Sequence, residues 1–469
     1  MKWGLATTAL LLVCLALRLE YAVYALYVIV GVFLVSRWTA GRWAEAIRVE
    51  RWCSCAAAEI GDRATVRLTL WNLRRRRVPW LLVEEALPVD ALIQHPPRLL
   101  SSRGRLAVAS LRPGESRVMS YEVDFRMRGY YQIGPVLLET GDLFGLHRHY
   151  RVCSEPCYVL VRPRVIPLMG YDLASRRPIG EVRLRHRHFE DPTRIVGVRP
   201  YEHGDPLNRV HWRATARTGQ LHCKTFEPSC VAGATLLLDF HVASYRPRRQ
   251  RRGPDPEIER RLRAAGMSWN EAKVEGPDTV QVELAVTTAA SLANAVLEQG
   301  QQVGLVSNGR DAADRIRLEG YREDFRSRAV ARTKLQETNV EERRRPVVVA
   351  TRKASEQLDQ ILDTLARLEL NEGLSFAELV MECASRLPRD ATVAAILTTV
   401  TEEAALALGM LRRSGFAVTA VVVDRDEDEQ LDWATPSDWA GFLLAEGVPF
   451  RQVRDHESLE RLCAEHFIR

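Results

Sequence analysis

The chain has 469 residues, 46% of them hydrophobic and 27% charged, with a net charge of +6. That length implies two or three domains, and that composition excludes a disordered chain. The modest excess of arginine suits an anionic membrane surface or an acidic protein partner, and disfavours nucleic acid.

The first 36 residues are the most apolar part of the sequence. Trp3 to Leu17 and Tyr21 to Ser36 are apolar runs separated by Arg18-Leu19-Glu20. Each run makes roughly 23–27 Å of helix at about 1.5 Å per residue, slightly short of a bilayer core of about 30 Å. Flanking Trp3, Trp38 and Trp43 suit the membrane interfaces. A single long helix would bury Arg18 and Glu20 at mid-membrane, and a cleaved signal would not be followed at once by a second apolar run. The reading adopted is a transmembrane helical hairpin over residues 1–37. Lys2 precedes it, and Arg37, Arg42, Arg48 and Arg51 follow. By the positive-inside rule the remaining domains face the cytoplasm.

Residues 38–165 form the next domain, which reads as strands from residue 48 onward. Val66, Leu68 and Leu70 alternate with Thr65, Arg67 and Thr69, and Met119, Tyr121, Val123 and Phe125 keep the same period of two. Gly61-Asp62, Pro113-Gly114, Gly134-Pro135 and Gly141-Asp142 punctuate the runs. About seven short strands predict an antiparallel β-sandwich. Arg74 to Arg77 form a basic run between strands, read as a solvated loop or a contact for anionic lipid headgroups.

Residues 166–233 join this domain to the next and hold the densest group of special residues. Asp205 suits a helix N-cap, Pro206 the first helical position and Gly219 the left-handed C-terminal position, predicting a helix over 206–218. Arg209, Arg213 and Arg217 would then form a cationic stripe at i, i+4 and i+8, while Val210 and Trp212 bury the other faces. Glu190, Asp191, Glu202, Asp205 and Glu227 are the nearby acids that could neutralise it. The arginines either lock the domains together or dock an acidic partner. A rival reading makes the segment an enzyme site for an acidic or phosphorylated substrate, with His203 and His211 as acid–base groups. No serine or cysteine nucleophile pattern, P-loop or zinc-protease motif accompanies them. After Gly219, Leu221, Cys223 and Thr225 alternate with His222, Lys224 and Phe226, as in a strand.

From Ala234 to the C-terminus, apolar runs alternate with amphipathic ones. Thr235–Asp239, Gln302–Ser307, Thr392–Val400, Phe416–Asp424 and Val448–Val453 read as strands. Val282–Glu298, Gln357–Leu368 and Ser375–Arg386 read as helices. The pattern predicts a parallel, doubly wound α/β sheet. Residues 245–278 form an arginine- and proline-rich insertion, read as a mobile basic loop, and Asp424 to Glu429 reads as an exposed acidic loop. Nine cysteines show no disulfide framework and read as reduced thiols. The pairs Cys53/Cys55 and Cys153/Cys157 lack the repeat of a structural zinc site.

The run Tyr201, Gly204, Asp205, Arg209, His211, Trp212, Arg213, Ala216, Arg217, Gly219, Lys224, Glu227 resembles the signature of the bacterial domain of unknown function 58 family. Arg128-Gly129 through Gly141-Asp142-Leu143-Phe144-Gly145-Leu146 is similar to a second pattern of that family, with Leu143 where proline is usual. The α/β region resembles a von Willebrand factor type A domain. There, D-x-S-x-S binds Mg²⁺, but the chain has Asp239-Phe240-His241-Val242-Ala243, with both serines replaced. The site is degenerate at Asp239, so no metal or other cofactor is expected. The resemblance implies a protein of the bacterial cytoplasmic membrane that works with a MoxR-type AAA+ ATPase and a client protein. The expected function is a non-enzymatic, membrane-anchored adaptor or assembly factor.

Overall fold

The computed structural model describes residues 20–88, 91–92, 96–102, 106–142, 147–168, 190–202, 207–228, 233–246, 277–319, 345–389, 391–424 and 438–462. The first apolar run and Arg18 of the expected hairpin tip lie outside these residues. So do Leu143 to Leu146 and most of the basic insertion.

The second apolar run forms helix α1 (Glu20–Glu45). It contains no proline and does not stop at Ser36, continuing through Trp38 and Trp43. Along its length Tyr21, Tyr24, Val28, Ile29, Leu34 and Val35 are exposed. It is long and apolar enough to cross a membrane. Its C-terminal part is seated on the next domain. Phe33 meets His147 edge-on at 4.4 Å, Ser36 Oγ lies 3.2 Å from His147 Nδ1, and Arg151 donates to the Ala44 carbonyl at 3.1 Å. Those last carbonyls have no partner within the helix, and a cation suits that end of its dipole.

The β domain runs through β1 (Ile47–Cys53), β2 (Ala57–Glu59), β3 (Arg63–Asn72), β4 (Val78–Glu85), β5 (Leu99–Ser101), β6 (Leu106–Leu111), β7 (Ser116–Phe125), β8 (Gly129–Ile133), β9 (Val136–Gly141), β10 (Arg148–Ser154) and β11 (Cys157–Arg162). They form three sheets, ordered β1-β3-β7-β5, β10-β9-β4-β6 and β2-β11-β8. The first sheet carries the predicted alternation. Val66, Leu68 and Leu70 point inward, opposite exposed Arg67. Leu68 and Leu70 pack with Val83 and Leu138 of the second sheet, while Val66, Val123 and Phe125 pack with Ile133 and Val161 of the third. One layer therefore covers two smaller ones. The expectation of a wholly antiparallel domain needs one correction, because β11 pairs with β2 in parallel.

The signature segment is a two-stranded ribbon, β12 (Glu190–Pro200) and β13 (His222–Pro228), joined by a 3-10 turn (Leu207–Arg209) and helix α2 (Trp212–Thr218).

In the α/β domain the sheet order is β17-β15-β14-β19-β20-β21. The strands are β14 (Gly233–Leu238), β15 (Gln302–Ser307), β17 (Val347–Arg352), β19 (Thr392–Leu397), β20 (Val418–Val423) and β21 (Phe450–Val453), with a short pair β16 (Arg310–Asp311) and β18 (Leu368–Glu369) beside them. All pairings in the large sheet are parallel except β15 with β17. The sheet is thus not wholly parallel, since an antiparallel edge strand was missed. Residues of β14 alternate between two cores. Leu236 and Leu238 pack with α3 (Thr279–Glu298) and with α5 (Gln357–Arg367), which follows the short α4 (Ala312–Glu319). Leu237 packs on the other face with α6 (Phe376–Cys383) and α7 (Glu402–Arg413). Helix α3 also has the length and hydropathy of a membrane span, but its side chains are buried in this core. Asp424 is not the start of an exposed loop. It is buried and paired with Arg246 at 2.7 Å.

Candidate functional site: the signature ribbon and the domain joint

The signature helix is shorter than the predicted span of 206–218. Val210 leaves the helical path to bridge Cys223, and the His211 N–H donates to the His222 carbonyl at 2.8 Å. These cross-ribbon bonds take the backbone away from the i−4 pattern, so α2 begins at Trp212. The predicted N-cap Asp205 lies outside the described residues, as does Gly204. His211 caps instead, its Nδ1 accepting from Ala214 N at 3.0 Å. An accepting Nδ1 leaves the ring proton on Nε2 in the neutral imidazole. Gly219 ends the helix at φ 75°, where a side chain would be strained.

Tyr201 sits at the mouth of the ribbon, its N–H donating to the Leu221 carbonyl at 2.9 Å. Lys224 is paired with Val198 across it. Glu227 lies on β13, but its side chain is outside the described set. The arginine stripe is not formed as expected. Arg209 belongs to the 3-10 turn, leaving Arg213 and Arg217 at i and i+4 on α2, both exposed. Among the described residues neither makes an ion pair. Trp212 does not bury a face either. It is 67% exposed, and Leu207, Val198 and Leu221 are exposed on the same ribbon. The short helix offers its own body too little surface to cover an indole, and among the described side chains of the ribbon Val210 and Cys223 are the buried ones.

The lock between domains lies elsewhere, at an arginine the sequence reading did not single out as a site. Arg128, between β7 and β8, is buried. Its Nη1 donates to the Leu365 and Leu368 carbonyls at the end of α5, at 2.6 and 2.9 Å. Its Nε lies 3.4 Å from Glu283 of α3, and its guanidinium lies over the Phe240 ring at 5.4 Å. Gly129 makes room for this arrangement, since a Cβ there would stand 2.7 Å from Tyr131 Cζ. Tyr131 Oη in turn donates to the carbonyls of Met127 and Arg128. Burial pushes the Arg128 guanidinium pKa down and the Glu283 carboxyl pKa up. At the rim, Arg162 of β11 reaches Asp359 and Asp363, both at 2.7 Å. The glycine and tyrosine after Arg128 were the available signal: a glycine that admits a close approach and a tyrosine that folds back onto it.

Asp239, at the C-terminal end of β14, is buried. It accepts from the His241 N–H at 3.1 Å and from Asn308 Nδ2 at 2.9 Å. The carbonyl of Ser244, one residue past the expected motif, accepts from Thr398 and Thr399 at 2.7 Å each. The chain's own turn occupies the crevice where the sheet order reverses. In the β domain the Cys53 thiol donates to the Cys55 carbonyl at 3.4 Å, and Cys153 packs against a different cluster from Cys53, Cys55 and Cys157.

A family model described as "Protein of unknown function DUF58" matches residues 197–252. The chain is 29% identical over 188 residues to "Uncharacterized protein YeaD" of Bacillus subtilis (strain 168), covering 38% of this chain and 44% of that one. Less than half of that relative's length is therefore matched. Among solved structures, the CARDB domain of PF1109 from Pyrococcus furiosus matches with a TM-score of 0.18 at 16% identity, over 24% of this chain and 86% of the domain. The ASH/PapD-like domain of human CEP192 matches with a TM-score of 0.16 at 16% identity, over 24% of this chain and 83% of that one. Likenesses this slight carry no argument. The family match and the Bacillus relative together support the DUF58 family for this chain.

Proposed function

We propose that this chain is a membrane-anchored, non-enzymatic adaptor whose signature ribbon docks an acidic surface of a MoxR-type AAA+ ATPase and brings it to a client protein. The observation that carries the reading is the exposure of Trp212, Arg213 and Arg217, while the domain joint is made by Arg128 and Arg162. Tryptophan and arginine are the side chains that contribute most at protein interfaces. Side chains relieved of a structural duty at the joint are available to a partner.

Two further observations support parts of the reading. Helix α1 exposes an apolar surface, and Arg37 and Arg42 in its C-terminal part with Arg48 and Arg51 beyond it support, by the positive-inside rule, soluble domains that face the bacterial cytoplasm. The sheet order with its antiparallel edge strand, and Asp239 at the reversal point, suit a type A-like interaction domain. In it the Asp239 side chain serves the fold through Asn308 and His241.

The test is a pull-down of tagged full-length protein from detergent-solubilised membranes, with and without a non-hydrolysable ATP analogue. An Arg213→Ala/Arg217→Ala variant runs beside it. The expected result is nucleotide-dependent recovery of an AAA+ ATPase, lost in the variant. Recovery of no such ATPase in either condition would sink the proposal and leave the enzyme reading to be screened.

A further inference from the structure

We propose that the junction between α1 and the β3–β4 turn is a binding site for the phosphate headgroup of an anionic phospholipid. The inference rests on the membrane-anchored reading above and adds to it a specific lipid site.

The turn carries Leu73 and then Arg74, Arg75, Arg76 and Arg77, all exposed. Consecutive guanidiniums repel one another, so a turn that holds them in place calls for an anion. This turn is held. Asn72 is buried, and its Nδ2 donates to the Arg76 carbonyl at 2.8 Å and the Arg112 carbonyl at 3.1 Å. Its Oδ1 accepts from Arg74 N at 3.1 Å. The Leu73 N–H donates to the Ala46 carbonyl at 3.0 Å, pinning the turn beside the end of α1.

Trp38 of α1 faces the turn. The Arg42 and Arg76 guanidinium carbons lie 4.6 and 5.7 Å from its ring centroid. Trp38, Arg42, Trp43 and Arg74 to Arg76 line a cavity of about 250 Å³. Arg77 turns away to Ser110. Glu45 is the acid nearest the site, 3.9 Å from Arg74, so the positive charges outnumber it. The open face of α1 beside it carries Leu34, Val35, Arg37, Trp38, Arg42 and Glu45.

A guanidinium pocket beside exposed apolar side chains of a helix matches a phospholipid. Arginine forks bind phosphate oxygens two at a time, and an acyl chain can follow Leu34 and Val35. Free phosphate would use the pocket and leave Leu34 and Val35 uncovered. The position agrees, since Tyr21 to Trp38 span roughly 25 Å of helix, which brings Trp38 to the interface of a bilayer core of about 30 Å. Tryptophan is enriched at that level, and exposed Leu73 at the tip suits the acyl boundary.

The test uses full-length protein in detergent, with bound lipid counted by native mass spectrometry during titration with phosphatidylglycerol, phosphatidylcholine or inorganic phosphate. Phosphatidylglycerol should be retained in preference to phosphatidylcholine. The Arg75→Gln/Arg76→Gln variant should bind it about thirtyfold more weakly. These side chains are exposed, so the variant keeps its fold. Arg213→Gln/Arg217→Gln should bind as the parent does, and Trp38→Leu, which removes the ring beneath Arg42 and Arg76 and leaves every charge in place, should weaken binding. Equal retention of the two lipids, full retention by the Arg75→Gln/Arg76→Gln variant, or displacement of the lipid by an equal concentration of inorganic phosphate would overturn the proposal. Alkaline carbonate extraction of membranes separates the two levels of inference. Release of the protein would overturn the anchor and this site with it. Protein that stays in the membrane without headgroup selectivity would overturn the site alone.

Discussion

The domain joint and the signature ribbon both present arginines, in opposite settings. At the joint, Arg128 is buried, with two carbonyls, a carboxylate and an aromatic face around it. On the ribbon, Arg213 and Arg217 stand in solvent beside an exposed indole. A buried guanidinium survives only where its hydrogen bonds and charge are met, so its surroundings are fixed by folding. An exposed one costs the fold almost nothing and is free to be met by another molecule. The difference separates a residue that builds the molecule from residues available for its work.

The sharpest way to break this comparison is to remove Arg128. Arg128→Ala would leave Glu283 and two helix-end carbonyls without their partner, at a cost of about 3–5 kcal/mol. Urea unfolding of the full chain in detergent measures it, and a loss below about 1 kcal/mol would show that the joint does not depend on this side chain. The pH dependence has a definite sign. Burial already raises the Glu283 pKa in the folded state, and losing Arg128 raises it further. A carboxyl with a raised folded pKa favours the fold when protonated and loses that contribution as pH rises through the folded value. The deficit of Arg128→Ala should therefore be smallest in acid and grow as Glu283 ionises. In an Arg128→Ala/Glu283→Gln background this pH dependence should be lost.

The next effects at the joint are smaller. Gly129→Ala would set a methyl 2.7 Å from Tyr131 Cζ, an overpacking worth about 1–3 kcal/mol. Arg162→Ala would remove contacts to Asp359 and Asp363 that water partly screens. The loss should be about 1 kcal/mol and should shrink in high salt. Equal losses for Arg162→Ala and Arg128→Ala would mean that burial is not what distinguishes them.

The sequence made some of this legible and hid the rest for identifiable reasons. Strand β3 could be read because its period of two is a local property, and the central strands of the α/β domain because they are uninterrupted apolar runs between helical ones. The start of α2 could not be read. It is set by Val210 pairing with Cys223 and His211 with His222, contacts made only once the ribbon closes. Strand β17 alternates half-buried and exposed positions at a sheet edge and lacks the apolar signal of its neighbours. Arg128 could be read only as the start of a family pattern, because an arginine after a strand looks like a surface residue until the partner domain is in place. The functional emphasis on Trp212, Arg213 and Arg217 came from residue type and spacing, which cannot tell a side chain that faces inward from one that faces out. The expected burial of Trp212 is where the structure differs, since the indole is exposed.

The smallest expected effect sharpens the comparison most. Trp212→Ala, Arg213→Ala and Arg217→Ala should each leave the unfolding free energy within about 0.5 kcal/mol of the parent, because each side chain is exposed and surface substitutions rarely cost more. The same variants should lose the proposed ATPase in the pull-down, Trp212→Ala most of all, since a tryptophan at the centre of an interface outweighs its neighbours. A large loss of stability from Trp212→Ala would mean that the indole is covered by this chain. The ribbon would then belong with the joint as part of the architecture. Unchanged stability with unchanged partner recovery would place the docking surface elsewhere on the protein. Only stability retained with recovery lost would keep the two kinds of arginine apart.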